Sequence, residues 1–186
     1  MNDLSLTLSV LHDHIWQTLT EGVANRHAPA RNVALATVAP AGDAPELRTV
    51  ILRAADRPAA TLDFHTDLRS AKIAALRLRP MAEALVWDPT ARLQIRLSGP
   101  VSILTGPSVS DAWNRVPEPA RISYGNLPGP GEPIPDALAY TSGTGEAVFA
   151  VLRMSVTRID ALHLGDRHRR SRFLKVDTWQ GEWLSP

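Results

Sequence analysis

The sequence predicts a mainly-β protein, a small antiparallel barrel with peripheral helices. Three observations carry that reading. Six to eight short apolar stretches read as strands, joined mostly by short turns, and sequential antiparallel strands of this kind close most easily into a barrel. The stretch Arg92-Leu93-Gln94-Ile95-Arg96-Leu97-Ser98 alternates strictly, so Leu93, Ile95 and Leu97 share one face and Arg92, Gln94, Arg96 and Ser98 the other. Helical stretches are too few to follow every strand. With no G-x-G-x-x-G, Walker A, G-x-S-x-G or H-E-x-x-H pattern in the chain, a doubly wound parallel sheet is disfavoured.

Taken in order, Leu4, Leu8, Leu11, Ile15 and Leu19 recur at helical spacing and place an amphipathic helix within residues 1–24, ending near Gly22. Val33 to Val38 reads as a buried strand, and Pro40-Ala41-Gly42-Asp43 turns the chain back. Leu47 to Leu52 and Thr61 to Thr66 are the next strands. Ser70 caps a short helix through Leu78, with Ile73 and Leu76 facing the core and Pro80 limiting its extension. Met81 to Trp87 returns to strand. Gly99-Pro100 bends the alternating strand before Val101 to Leu104 continues it. Ser108-Val109-Ser110-Asp111 resembles a capping box opening a short helix with Trp113. Residues 116–136 are rich in Pro and Gly without a period, and read as an ordered surface loop. Ala147 to Met154 is a nearly continuous apolar strand that Ser155 to Leu164 extends. Arg169 to Val176 and Trp179 to Leu184 complete the set.

A length of 186 residues fits one domain, 1–186, with a real core. Lys and Arg number 20 against 19 Asp and Glu, a net charge of +1 that gives no footprint for nucleic acid or a membrane surface. The absence of cysteine removes disulfides, thiolate catalysis and cysteine-type zinc sites. No basic segment precedes an apolar run at the N-terminus, and no apolar run approaches the roughly 20 residues of a membrane span, so the expected location is cytoplasmic. His12-x-His14 is no metal site, since a spacing of two separates the rings on a helix and no third ligand is near. The five tryptophans read as core or interface anchors.

Two stretches carry the chemistry, Arg48-Thr49-Val50-Ile51-Leu52-Arg53 and Phe64-His65-Thr66-Asp67-Leu68-Arg69-Ser70-Ala71-Lys72. Each sets basic and hydroxyl side chains at the end of an apolar strand, and the second runs into a helix. A phosphate monoester carries roughly −1.5 to −2 charge near neutral pH and three acceptor oxygens. Arginine grips two such oxygens, lysine adds a point charge, and a helix start at Ser70 adds backbone donors. The competing reading is of ordinary solvated charges. Arg48 and Arg53 are five apart, so a regular strand points them to opposite faces. They meet one ligand only if one lies beyond the strand end, if a bulge intervenes, or if they contact different parts of a long ligand. Gln94, between Arg92 and Arg96, suits the polar edge of a heterocycle or a solvent-facing strand. His163, His168, Arg169, Arg170 and Arg172 form a basic C-terminal patch; His168, Arg170 and Arg172 share one face, fit for an anion or for protecting an edge strand.

These residues resemble a family. Arg48-Thr49-Val50-Ile51-Leu52-Arg53 is similar to the R-x-V-x-L-[KR] motif of the pyridoxamine 5′-phosphate oxidase-like flavoproteins, and Phe64-His65-Thr66-Asp67 to their F-[YH]-T-[ND]. Ser70-Ala71-Lys72 matches S-x-K, Leu93-Gln94-Ile95-Arg96 resembles R-Q-V-R, and Glu182-Trp183-Leu184-Ser185-Pro186 looks like a terminal R-L-x-P. The resemblance implies a split β-barrel of Greek-key-like antiparallel strands, binding FMN at a homodimer interface. It implies that Arg48, Thr66, Ser70 and Lys72 hold the FMN phosphate and that Val50, Arg53, His65 and Gln94 lie along the ribityl chain and ring. Arg172 would reach the flavin from the partner subunit.

The departures concern the substrate side. Where the oxidase carries R-x-H, this chain reads His168-Arg169-Arg170; its flavin-contacting tryptophan corresponds to Leu162; and Glu118-Pro119 replaces Gln-Ser before Arg121-Ile122-Ser123. The resemblance therefore implies an FMN-dependent oxidoreductase of unknown small-molecule substrate. His168 and Arg170 are its substrate-side candidates, and His168 the one acid–base candidate. The alternatives are an authentic pyridoxamine 5′-phosphate oxidase with a rearranged site, a non-catalytic flavin carrier, and a binder of another planar anion such as haem or a deazaflavin.

Overall fold

The computed structural model describes residues 7–176 and 178–186; Leu4, the first apolar position of the expected N-terminal helix, lies outside them. Helix α1 (Leu8–Ala24) is capped by Thr7, whose hydroxyl accepts from the Val10 N–H at 3.4 Å. It buries Leu11, Ile15 and Leu19, as its spacing predicts, and Trp16 beside them. Strands β1 (Asn32–Val38), β2 (Pro45–Asp56) and β3 (Thr61–Asp67) precede helix α2 (Ala71–Leu78). Strands β4 (Met81–Asp88) and β5 (Leu93–Leu104) precede the short helix α3 (Ser110–Asn114). The last four are β6 (Phe149–Ser155), β7 (Arg158–His163), β8 (Arg169–Lys175) and β9 (Trp179–Leu184).

All pairings are antiparallel, and six strands close a ring in the order β1-β2-β3-β6-β5-β4. Strands β7, β8 and β9 leave the ring as a branch. The fork lies in β5. One edge of β5 pairs with β4 from Leu93 to Pro100, while its other edge is divided. Leu93–Ser98 pairs with β7 and Val101–Leu104 with β6. Gly99 stands at the division, where a Cβ would overlap the Ser155 carbonyl oxygen. So Gly99-Pro100 does more than bend a strand: it marks where the sheet divides into two.

That division corrects the expectation of one strand through 147–164. Residues Glu146–Val148 form a 3-10 turn, β6 ends at Ser155, and Val156 and Thr157 carry the chain across the fork into β7. Nine strands result among the described residues. The expected capping box is also replaced: Gly106–Val109 is a 3-10 turn, and the Ser108 hydroxyl donates to the Thr105 carbonyl at 2.8 Å instead of capping α3.

The main core fills the ring. Leu35, Leu52, Leu62, Phe64, Leu93, Ile95, Leu97 and Leu152 are buried there, with Ile73 and Leu76 of α2 over one side. Each such side chain contributes about 1.5–3 kcal/mol relative to exposure. His12 belongs to this packing, since its Nε2 accepts from Trp16 Nε1–H at 3.1 Å and its ring lies 5.2 Å from those of Phe173 and Trp179. A second, smaller core lies outside the ring, where Val109, Trp113, Val116 and Tyr124 cover Phe149 and Val151 of β6. Among the described residues no helix is long and apolar enough to cross a membrane.

Candidate functional site

Strands β2 and β3 pair only from Leu52↔Phe64 to Asp56↔Thr61. Beyond that point they part: Arg48–Ile51 stays with β1, and His65–Asp67 pairs with β6. The opening holds a cavity of about 280 Å³. Thr49, Val50 and Ile51 form one wall, and two polar groups line the rest.

The first group is Thr66, Ser70 and Lys72. Lys72 Nζ donates to Thr66 Oγ1 at 3.1 Å, and the Thr66 and Ser70 hydroxyls are 3.1 Å apart. Ser70 has the extended backbone of an N-cap, but its hydroxyl makes no capping bond and turns to Thr66. The Ile73 N–H donates to the Ser70 carbonyl at 2.9 Å, which leaves the Ala71 and Lys72 amides as the first-turn donors. Burial, then the charge of Arg48, pulls the Lys72 ammonium below its ordinary value, against the opposing pull of Asp67. Arg48 does not line the cavity. Its Nη1 donates to Leu35 O (3.3 Å), Thr37 Oγ1 (2.6 Å) and Glu46 O (3.1 Å), and its Nη2 to the Glu46 carboxylate (2.7 Å).

The second group is Arg53, His65 and Tyr124. Arg48 and Val50 share the inner face opposite Leu35 and Val33, alternation puts Arg53 on the other, and the register shift between Leu52 and Ala54 falls at Arg53. The two arginines thus do not converge on one point. Arg53 lines the cavity in the gap between the strands, and Arg48 does not. Arg53 Nε and His65 Nδ1 are buried and have no hydrogen-bond partner, a state native proteins rarely leave without a ligand or water. Burial, and secondarily the Arg53 charge, lowers the His65 pKa from 6.5 to about 4, with Asp63 opposing. Burial also raises the Tyr124 phenol, against the charge and hydrogen bonding of Arg53.

Asp67 ties the Pro/Gly-rich segment to this site. Its carboxylate accepts from Arg69 Nη2 at 2.7 Å and from the Gly125 N–H at 3.0 Å. Burial opposes its ionisation, but these bonds and the Arg69 charge outweigh it and hold the carboxyl below its usual value. The tether brings Ser123, Tyr124 and Pro130 onto the cavity. The 116–136 segment thus forms part of the cavity wall. Of these residues only Ser123 carried a sequence signal, inside Arg121-Ile122-Ser123; Tyr124 and Pro130 carried none.

A pH dependence follows from His65. Its folded pKa is depressed, so the stability gained by keeping it neutral is fully present above 6.5 and is lost as pH falls toward about 4. The ring is partly exposed, so the loss is on the order of 1–2 kcal/mol. Urea unfolding at about pH 7.5 and about pH 5 checks this: His65→Gln is expected to lose less stability on acidification than the wild type, and equal losses would refute it.

The remaining predicted residues lie elsewhere. Gln94, Arg170 and Arg172 share the outer face of the sheet β2-β1-β4-β5-β7-β8-β9, the face onto which Thr49 and Ile51 open the cavity. They are outside the cavity lining. Five strand spacings separate β2 from β8, roughly 24 Å along the sheet. Arg170 is bidentate on Asp160 (Nη2–Oδ2 2.9 Å), which also pairs with Arg96 at 3.1 Å. Arg172 pairs with Glu182 at 2.7 Å. His168 is exposed just before β8.

A family profile described as "Pyridoxamine 5′-phosphate oxidase, FMN-binding domain" matches residues 13–105, half of the chain. The chain belongs to this family. The part matched to the pyridoxamine 5′-phosphate oxidase FMN-binding domain holds β2, β3, α2 and most of the cavity wall, and ends before Tyr124 and the β7–β9 branch. The pyridoxine/pyridoxamine 5′-phosphate oxidase of Acinetobacter baumannii is 34% identical over 100 residues, which are 54% of this chain and 44% of that protein. The match thus spans less than half the length of this curated relative. Among solved structures, a pyridoxamine 5′-phosphate oxidase-related, FMN binding protein from Nostoc punctiforme superposes with a TM-score of 0.79 at 28% identity, covering 98% of this chain and 100% of that one. PhzG from Burkholderia lata shares the fold at a TM-score of 0.69 and 18% identity, covering 100% and 95%. The split-barrel expectation is borne out by these likenesses and by the closed six-stranded ring with its branch.

Proposed function

We propose that this chain is an FMN-binding oxidoreductase that works as a homodimer on a small-molecule substrate. The observation that carries the reading is the polarity of the cavity: a lysine, two hydroxyls and a helix start on one side, and a half-buried arginine and histidine, each with one buried unsatisfied nitrogen, on the other. That pattern fits a molecule with a phosphate at one end and a polar heterocycle at the other. Lys72, Ser70 and Thr66, with Arg48 behind them, hold the phosphate. Val50 packs along the ribityl chain, and Arg53 and the neutral His65 meet the ring. When bound, the flavin supplies hydride or electron transfer at N5. Arg53 contributes a fixed cation, and the Tyr124 segment excludes water.

The dimer rests on the outer face. At about 280 Å³ the cavity is smaller than the roughly 300–1,000 Å³ of typical ligand sites, so one chain encloses part of the ligand. The cavity opens beside exposed Leu47, on a face that also carries exposed Trp87, apolar surface that a second copy covers. Stacking two such faces brings Gln94 and the partner subunit's Arg172 within reach of a ring they cannot reach along their own sheet.

An FMN titration followed by flavin fluorescence tests the proposal. Saturable binding at one FMN per subunit, much tighter than riboflavin binding, is expected; no saturable change would sink it. The relatives' name favours a second reading, oxidation of pyridoxamine 5′-phosphate. Asp160 weighs against it by occupying Arg170, the substrate-side arginine. Loaded protein given that substrate and oxygen is expected to yield no aldehyde. His168 then remains the acid–base candidate for a different substrate.

A further inference from the structure

Arg48 divides its guanidinium between two kinds of partner. Nη1 is anchored by three neutral oxygens of the β1–β2 hairpin, those of Leu35, Thr37 and Glu46. Nη2 instead meets a charged group of its own strand, the Glu46 carboxylate at 2.7 Å. Thr37 is buried, so the anchor is fixed, whereas the Arg48 and Glu46 side chains keep 22% and 35% exposure. The carboxylate can therefore swing into solvent while the guanidinium stays in place. Glu46 stands opposite Thr37, and Arg48 opposite Leu35, so alternation turns both side chains to the interior side of the hairpin, where Arg48 meets Lys72 through its charge. Asp67 opposes that charge at Lys72, whereas the only carboxylate hydrogen-bonded to Arg48 among the described residues is that of Glu46.

We propose that Glu46 is a built-in counter-ion for the phosphate subsite, which an incoming phosphate must displace from Arg48. This inference rests on the FMN reading for the identity of the phosphate's carrier. The anchored Nη1 keeps the guanidinium plane set while Nη2 exchanges a carboxylate oxygen for a phosphate oxygen. The exchange makes Glu46 a determinant of affinity for the phosphorylated ligand alone, because a ligand without the phosphate leaves the Arg48–Glu46 pair intact. Glu46 thereby weakens FMN binding relative to what Arg48 and Lys72 alone would give, and it keeps the pair ordered while no ligand is bound.

The test compares wild type, Glu46→Gln, Arg48→Ala and the double variant, each titrated with FMN, riboflavin and inorganic phosphate. Glu46→Gln keeps shape and removes charge. It is expected to tighten FMN binding about two- to fivefold, the upper range of one partly exposed charge pair, with riboflavin unchanged. The gain should vanish when Arg48 is already alanine. If wild type binds FMN but Glu46→Gln binds it equally or more weakly, the counter-ion role is overturned while the FMN reading stands. If no form binds FMN, that reading falls and inorganic phosphate decides alone: tighter binding to Glu46→Gln upholds the counter-ion, and equal binding overturns it.

Discussion

Removing both cations of the proposed phosphate subsite, Arg48→Ala with Lys72→Ala, is expected to weaken FMN binding by about 10²- to 10⁴-fold. Hydrogen bonds to charged groups contribute about 1.5–3 kcal/mol each, and two of them amount to roughly that factor. Lys72 sets its ammonium 3.1 Å from Thr66 Oγ1, with its position fixed by the first turn of α2. Burial first, and the Arg48 charge second, hold its pKa below the ordinary value, and a bound dianion would offset both. Riboflavin binding should change by less than about threefold, since it lacks the group these cations recognise. Flavin fluorescence measures both. Equal losses for the two flavins would show that the variants damage the cavity rather than a phosphate contact.

The largest stability effect is expected at Gly99. A Cβ there meets the Ser155 carbonyl oxygen, the Ser155 carbonyl carbon at 2.9 Å and the Thr157 nitrogen at 3.3 Å. All three are backbone atoms, and they are held in turn: Thr157 N–H donates to Ser98 O at 2.9 Å and Val156 N–H to Ala60 O at 2.8 Å. No flexible side chain can yield, so the strands on both sides of the fork must separate. Gly99→Ala is expected to cost on the order of 3–5 kcal/mol and Gly99→Val to prevent folding. Urea midpoints of Gly99→Ala and of the exposed control Gly42→Ala separate the crowding effect from the general cost of replacing glycine. Gly42 has φ of 89° and open space around it, so its substitution carries strain but no overlap. A loss at Gly99 no larger than at Gly42 would remove the fork from the account.

Much of this architecture was legible because it is local. Leu93, Ile95 and Leu97 are all fully buried, as strict alternation requires. The 70–78 helix and the Trp179–Leu184 strand fall at their expected bounds. What was not legible depends on pairing between distant segments. The apolar run through 147–164 contains no turn signal at Val156, because the chain changes neighbours there without reversing, around a glycine more than 50 residues earlier in the sequence. The geometry of Arg48 and Arg53 posed a dilemma on a regular strand. The parting of β2 from β3 places only Arg53 on the cavity, with Arg48 outside its lining. Tyr124 and Pro130 come to the cavity through an Asp67–Gly125 bond spanning a segment without periodicity, and no pattern in that segment announces it. Arg170 was legible as a cation but not as an occupied one, since Asp160 reaches it from the neighbouring strand.

The outer cluster of Trp113, Tyr124 and Phe149 is packed against the barrel wall yet shares no interior with it. Segments that bury less apolar surface open first and most often. The covering segment can therefore lift as a unit while the ring of strands stays closed. Flavin exchange then becomes a question of how often this flap breathes. Association rates would plateau as ligand concentration rises, and a retained cofactor would report slow gating as much as tight equilibrium binding.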